Sequence, residues 1–190
     1  MRKLLLFPLL FVLSCATSSG KGNDASNNPY YSRTDTAHLN VSNDEWKKIL
    51  PADVYEIARE KGTEYAFSGK YYKTDVPGTY YCAVCGNALF NSTSKFASSC
   101  GWPSFFEPIR ENAMHYTKDL SHGMDRIEVT CARCDSHLGH IFDDGPEPTG
   151  KRYCMNSAVL DFEPTETAQA QEAAPKEASK APVKKGASKK

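Results

Sequence analysis

The sequence has no surplus of charge. Its 190 residues carry 23 Lys and Arg against 23 Asp and Glu. A protein that grips a phosphate backbone needs a clear basic excess, so nucleic acid is excluded as its main partner. It also has no long apolar run. The longest is about ten residues, half of what a membrane-spanning helix requires. No internal repeat exceeds a pair of short cysteine motifs. It is not short of core-forming residues: 40% are hydrophobic and 11% aromatic, which excludes disorder throughout. The length suits one domain, or two small ones. Seven cysteines are many for such a chain, and their placement is the most informative feature.

Both ends read as additions to the fold. Met1-Arg2-Lys3 is a positive start, Leu4 to Leu13 is apolar apart from Pro8, and Ser14-Cys15 follows. A charged, then apolar, then small-residue pattern is a secretory signal. Val12-Leu13-Ser14-Cys15 resembles a bacterial lipobox, with Leu13 where a smaller residue is usual. In that reading Cys15 is lipidated and the protein is an exported cell-envelope lipoprotein, held to the membrane by its lipid alone. The alternative is a plain cleaved signal with an incidental Cys15. The expected divisions are a signal at 1–14, a Ser/Asn/Gly/Thr-rich flexible tether at 15–38, a folded domain at 39–162, and a disordered Ala/Lys/Glu-rich tail at 163–190.

Within the domain, Ser42-Asn43-Asp44-Glu45 has the form of a capping box and starts a helix. Pro51 opens a second, with Val54, Ile57 and Ala58 on one face and Gly62 as its stop. Residues 70–73, 78–81, 127–130 and 152–160 are aromatic or β-branched runs and read as strands. Helices followed by short strands point to a mainly β protein: a helix pair on a mostly antiparallel sheet or barrel.

With Cys15 assigned to lipid, six cysteines remain. Cys82-Ala83-Val84-Cys85 and Cys131-Ala132-Arg133-Cys134 are two C-x-x-C knuckles. Together they offer four thiolates to one tetrahedral, structural Zn2+ with no open position. Disulfides are the competing reading in an exported protein, with 15 pairings open to six cysteines. Cys100 and Cys154 stand alone. If Arg152 to Asn156 is a strand, Arg152, Cys154 and Asn156 share a face, and a cation with an amide donor then favours the Cys154 thiolate. His137 and His140, in His137-Leu138-Gly139-His140, could complete a Cys2His2 site with Cys131 and Cys134. That arrangement would strand Cys82 and Cys85, so both histidines are read as free for proton chemistry. His38, His115 and His122 carry no pattern and are expected at the surface.

Cys100-Gly101-Trp102-Pro103-Ser104-Phe105, His137-Leu138-Gly139-His140, Asp144-Gly145-Pro146 and Arg152-Tyr153-Cys154-x-Asn156, in this order with both knuckles, resemble the B-type methionine sulfoxide reductases. Ser99 departs from the family's usual Gly. The resemblance covers residues 42–162. It implies two packed antiparallel β-sheets, barrel-like, with N-terminal helices and one structural zinc on Cys82, Cys85, Cys131 and Cys134. It also implies reduction of methionine-R-sulfoxide. Cys154 would be the nucleophile and Cys100 the resolving residue, joined in a disulfide after turnover and reset by a thioredoxin-like reductant. Trp102 would cover the substrate methyl group. His137, His140, Phe142, Arg152 and Asn156 would complete the pocket. Two rival classes remain: a non-catalytic zinc-ribbon binding module, and a disulfide-stapled structural lipoprotein.

Overall fold

The computed structural model describes residues 27–173, so the signal segment, Cys15 and residues 174–190 lie outside the described residues. Ser42 caps helix α1 (Asn43–Ile49) by accepting from the Glu45 backbone N–H at 3.3 Å. Pro51 precedes α2 (Ala52–Glu60), which buries Val54, Ile57 and Ala58. The stop differs from expectation by one residue. Lys61, not Gly62, takes the left-handed conformation, and the Gly62 N–H closes the helix on the Glu56 carbonyl at 3.0 Å. That turn aims the Lys61 side chain at Glu128, 2.7 Å away.

Nine strands follow: β1 (Gly78–Cys82), β2 (Ala88–Asn91), β3 (Lys95–Phe96), β4 (Ser104–Phe105), β5 (Met114–Asp119), β6 (Arg126–Cys131), β7 (His137–Phe142), β8 (Arg152–Met155) and β9 (Leu160–Pro164). They form two antiparallel sheets, ordered β2-β1-β9 and β3-β4-β8-β7-β6-β5. Neither sheet closes on itself, so the architecture is two open packed sheets rather than a barrel. Aromatic rings fill the space between them. Phe90 stacks on Phe105 at 4.1 Å, and Tyr80 meets Phe105 and Phe162 at 5.0 and 4.7 Å.

Three expectations are corrected. Residues 70–73 form no strand; they turn, Tyr71 is buried edge-on to Tyr80, and its N–H goes to the Ser157 hydroxyl. The run 152–160 is two strands, not one, broken at Asn156 and a 3-10 turn (Ser157–Val159) where the chain changes sheets. The termini are more structured than their composition suggested. Glu163 and Pro164 extend β9, and Glu166–Ala173 is a helix, α3.

The described part of the supposed tether, 27–38, is bound to the domain. Its Asn28 side chain and Ser32 N–H donate to the carbonyls of Val84 and Cys85 at 2.8 and 2.9 Å. Tyr30 packs edge-on against Trp46, and Arg33 pairs with Asp161 and Glu163. Buried Arg133 reaches out to the Tyr30 carbonyl and to Asp35, each at 2.9 Å. Gly86 permits this: a Cβ there would sit 2.6 Å from the Ser32 carbonyl oxygen. A Ser/Asn/Thr-rich composition hid the contact because every partner lies far off in sequence, in the knuckle turns and on β9. Among the described residues no helix is long and apolar enough to cross a membrane.

Candidate active site

The site is built where β7 pairs with β8. The register sets His140 opposite Cys154 and Phe142 opposite Arg152. The strands lie close at this point. A Cβ on Gly139 would come within 2.1 Å of the Cys154 carbonyl oxygen, so glycine is required there. A register shift between β6 and β7 then pairs Thr130 with His137 and Val129 with Gly139. This bulge undoes the strict alternation of the strand and brings the rings of His137 and His140 to 5.4 Å.

A cavity of about 110 Å³ opens beside Cys154. Trp102, His140, Phe142 and Asn156, all expected from the sequence, line it with Cys154. So do Thr63, Arg126 and Gly139, which sequence reasoning missed. Cys100, His137 and Arg152 are adjacent rather than lining. Cys100 Sγ lies 3.5 Å from Cys154 Sγ. Arg152 holds Asp144 with two hydrogen bonds of 2.8 and 2.9 Å and lies 4.3 Å over the Phe142 ring.

Several of these side chains are fixed by the loop after α2. The Trp102 indole N–H donates to the Glu64 carbonyl at 3.2 Å. Asn156 accepts from the Glu64 N–H through Oδ1 and donates to the Leu138 carbonyl through Nδ2. The Glu64 carboxylate accepts from the Ser157 and Ala158 N–H groups, satisfying the start of the turn that ends β8.

Each histidine has a carboxylate behind it. His140 Nε2 is 2.7 Å from Asp119, which also pairs with Arg126. Hydrogen bonds from Ser121, and then from His140, hold Asp119 well below the usual carboxylate range. His137 is buried, with Nδ1 2.8 Å from Glu128. Glu128 is itself only 4% exposed; its own burial works against ionisation, but hydrogen bonds from Lys61 and His137 keep its carboxyl below its ordinary value. Burial lowers the His137 pKa, with Glu128 opposing. The imidazole is therefore neutral at pH 7, and its Nε2 has no protein partner among the described residues. Asp119, Glu128 and Lys61 carried no sequence signal, since Asp119 and Glu128 reach their histidines across strands and Lys61 reaches Glu128 from a helix end. His38, His115 and His122 are exposed, as expected.

The two lone thiols behave as one unit. A hydrogen bond from Cys154, with help from Ser104 and Ser98 against its partial burial, pulls Cys100 down to about 4. The same contact, then burial and the Cys100 charge, pushes Cys154 up, while Arg152 acts to bring it down. The contact favours ionising one sulfur while the other keeps its proton. The sequence led us to expect that charge on Cys154; the sulfur contact favours Cys100 in the resting state.

The second cluster joins the sheets. Each knuckle is the turn of a hairpin, β1–β2 in one sheet and β6–β7 in the other. The two turns match: Gly86 and Asp135 both have positive φ, and the N–H groups of Cys82 and Cys131 bond to the carbonyls of Asn87 and Ser136. The four sulfurs of Cys82, Cys85, Cys131 and Cys134 lie within 4.8 Å of one another and are buried. Cys82–Cys134 and Cys85–Cys131 are 3.7 and 3.6 Å apart. A tetrahedron with metal–sulfur bonds of about 2.3 Å has edges of about 3.8 Å, so the four residues fit a metal ion. Asn87 Nδ2 donates to Cys131 Sγ at 3.4 Å, and Ser136 Oγ lies 3.2 Å from Cys134 Sγ, supporting the sulfurs from outside. Neither His137 nor His140 joins the cluster.

A model of the SelR domain matches residues 50–164. The peptide methionine sulfoxide reductase MsrB of Pseudomonas putida is 55% identical over 125 residues, covering 66% of this chain and 94% of that protein. That of Azotobacter vinelandii is 55% identical over 126 residues, covering 66% and 95%. That of Leptospira interrogans is 52% identical over 125 residues, with the same coverage. The Mis18 "Yippee-like" domain structure gives a TM-score of 0.38 at 16% identity, covering 47% of this chain and 97% of that one, too slight a likeness to argue from.

Two outcomes follow from this geometry. Peptide-resolved iodoacetamide labelling of Cys100 should reach its pH plateau near pH 5. In Cys154→Ala the inflection should move upward by about two pH units or more, because the S–H donor is gone; an unmoved profile would show that the sulfurs titrate independently. Separately, Cys82→Ser or Cys131→Ser should abolish tight metal retention and cost several kcal/mol of stability, since a folded tetrathiolate site contributes on the order of 10 kcal/mol of binding free energy. Wild-type metal content and melting temperature in either variant would contradict the site.

Proposed function

The chain belongs to the SelR-domain family and is a peptide methionine sulfoxide reductase of the MsrB kind, and from that premise we propose the course its reaction takes. The observation that carries the proposal is the 3.5 Å contact between a half-buried Cys100 and a Cys154 that lines the cavity opposite His140.

Methionine-R-sulfoxide enters with its methyl group against the Trp102 ring. Its oxygen faces His140, with Asn156 close by. The proton shared by the sulfur pair moves to Cys100, leaving the thiolate on Cys154 beside Arg152. That thiolate takes the sulfoxide oxygen, with the accompanying proton supplied through His140, whose Asp119–Arg126 pairing orients the ring. His137, fixed by Glu128, supports the same proton path. The S–O bond of the substrate breaks, methionine leaves, and Cys154 is a sulfenic acid. The Cys100 thiol then displaces hydroxide from Cys154, giving water and a Cys100–Cys154 disulfide. Closing 3.5 Å to a bond length of about 2.05 Å needs only a small shift of the loop that carries Cys100. A thioredoxin-like dithiol reduces the disulfide by exchange, becoming oxidised itself.

Zn2+ is the ion we assign to the four knuckle cysteines, because four thiolates in a closed tetrahedron suit it and leave no open position. Bound there it supplies structure alone. A non-catalytic zinc module or a disulfide-stapled lipoprotein would leave the Cys100–Cys154 pair and the His140 pairing without purpose. For location, we read residues 1–14 as a lipoprotein signal with Cys15 acylated, which makes oxidised proteins of the cell envelope the substrates and requires a reductant fed from across the membrane.

Cys154→Ser should lose turnover with a methionine-R-sulfoxide substrate by at least a thousandfold, since a neutral hydroxyl is a poor nucleophile. Cys100→Ser should still release about one methionine per enzyme and then stop. Dithiothreitol should restore its turnover, and a thioredoxin should do so poorly. Loss of the first burst in Cys100→Ser would place Cys100 in the attack itself; full turnover with thioredoxin would mean that another thiol resolves Cys154. For the anchor, intact mass of the membrane-extracted protein should show acylation at Cys15, and Cys15→Ser should lack it; an unacylated wild type would remove the lipoprotein reading.

A further inference from the structure

A buried carboxylate is costly unless something supplies the opposite charge. Glu128 is buried, and each of its oxygens has one partner: Lys61 Nζ lies 2.7 Å from Oε2, and His137 Nδ1 lies 2.8 Å from Oε1. Among the described residues no other Lys, Arg or His nitrogen comes within 4.0 Å of it. Lys61 reaches in from outside: its side chain is 67% exposed, against 5% for the carboxylate it pairs with. The backbone that aims it is unusual. Lys61 has φ +57°, the left-handed conformation, although Gly62 stands beside it and would adopt that conformation at less cost.

The consequence falls on His137. Three charged or titratable groups act on its ring: Glu128 from β6, Lys61 from the end of α2, and His140 on β7 itself. Burial works against a second proton on the ring, His140 and Lys61 act in the same direction, and Glu128 alone opposes them. With the ammonium in place, the carboxylate has its countercharge and does not need an imidazolium. An ionised Oε1 can only accept, so the single proton of the neutral ring is on Nδ1 and Nε2 is bare. Nε2 is buried without a protein partner, and the ring lies 5.4 Å from that of His140. Without the ammonium, a proton enters the Glu128–His137 pair. On the ring it makes an Nε2–H. On the carboxyl it donates to Nδ1, which moves the ring's own proton to Nε2. Both routes turn Nε2 from an acceptor into a donor.

We propose that Lys61 is a positioning residue for the sulfoxide chemistry: acting through Glu128, it holds His137 as an acceptor at Nε2 and leaves His140 as the proton donor. The proposal rests on the reductase reading of the Cys154 site and divides the work of its two histidines. His140 lines the cavity with Asp119 behind it, as a donor must. His137 does not line it. A donor beside an acceptor gives the proton path one direction, whereas two donors side by side leave nothing to accept. Lys61 touches neither the cavity nor the ring, so its effect is carried by charge alone.

The test uses the full-length, metal-loaded protein with ring-15N-labelled histidine. Lys61→Gly removes the ammonium and suits the left-handed backbone, so the turn is not strained by the change. Lys61→Arg keeps the charge. At pH 7 the His137 nitrogen resonances of wild type and Lys61→Arg should report a protonated Nδ1 and a bare Nε2. Lys61→Gly should report a protonated Nε2. Single-turnover release of methionine from N-acetyl-methionine-R-sulfoxide should follow the same division. The proton taken up in Lys61→Gly must leave before Nε2 is bare again, so its rate falls at neutral pH and returns toward wild type as pH rises. The acid limb of its pH profile should move up by about one pH unit or more, and that of Lys61→Arg should stay in place. A bare Nε2 or an unmoved acid limb in Lys61→Gly would overturn the proposal. A shift in Lys61→Arg as large as in Lys61→Gly would overturn it too, since charge would not be what acts. An equal loss of rate at every pH would make Lys61 a part of the fold only. A wild type that releases no methionine would sink the reductase reading and this role with it, whereas an unmoved limb in an active enzyme sinks the role of Lys61 alone.

Discussion

The structure depends on a junction of four sulfurs. Two hairpin turns, one from each sheet, meet with cross-knuckle S–S separations of 3.6 and 3.7 Å. No strand ladder joins the two sheets, so at that end they are held by the thiol cluster, the bound N-terminal segment and the Asn87 and Arg133 side chains, which donate to the carbonyls of Ala113 and Cys85 across the junction. Elsewhere the join is aromatic packing around Tyr80, Phe90 and Phe105, together with the corner at Asn156. Four buried thiolates without an ion would repel one another in a low dielectric; a divalent cation converts that repulsion into the strongest local attraction in the fold. Residues 28–39 reinforce it from outside. They take up the free carbonyls of Val84, Cys85 and Arg133, so each knuckle is covered by backbone hydrogen bonds that water would otherwise compete for.

What was legible in the sequence was chemistry carried by contiguous residues. The knuckles, the Ser42 cap, and the setting of Cys154 between Arg152 and Asn156 are local, and the folded chain places them accordingly. What escaped depends on long-range register. Asp119 lies 21 positions from His140, and Glu128 is nine from His137; both pairings exist only because β5, β6 and β7 are neighbours with a bulge in their ladder. Thr63 and Lys61 belong to a helix end whose composition says only that it stops. The N-terminal segment misled for a related reason: polar composition marks a linker when the backbone is solvated, and here its backbone is bonded to the knuckles. The tail misled less, since its first residues simply continue a strand whose edge was still available to them.

Electrostatics at the site separate resting charge from reacting charge. The Cys154 S–H contact favours the thiolate on Cys100, the sulfur that does not line the cavity. On the proposed course such an arrangement would protect the nucleophile. A protonated Cys154 is a poor target for small oxidants and for stray disulfide exchange. On the proposed course it becomes reactive when the proton crosses a contact of 3.5 Å, a transfer that Arg152 favours. Arg152 is itself held by two bonds to Asp144 and by the Phe142 ring, so its charge stays directed at the sulfurs when substrate displaces water.

The metal cluster and the reacting groups are parts of one element. β6 leads into the second knuckle, and β7 leaves it with His137 only three residues after Cys134. Glu128, which fixes His137, lies three residues before Cys131 on the incoming strand. The turn between them has its own ladder bonds, Cys131 N–H to Ser136 and Asp135 N–H to Cys131, each 2.9 Å. The geometry of that turn therefore sets where β7 begins, where its bulge falls, and so whether His140 faces Cys154. An ion held by Cys131 and Cys134 would act on the proposed reaction without touching the substrate: it would fix the register of the strand that carries both histidines. The same hairpin that closes the fold also aims the imidazoles, and loosening one end of it would move the other.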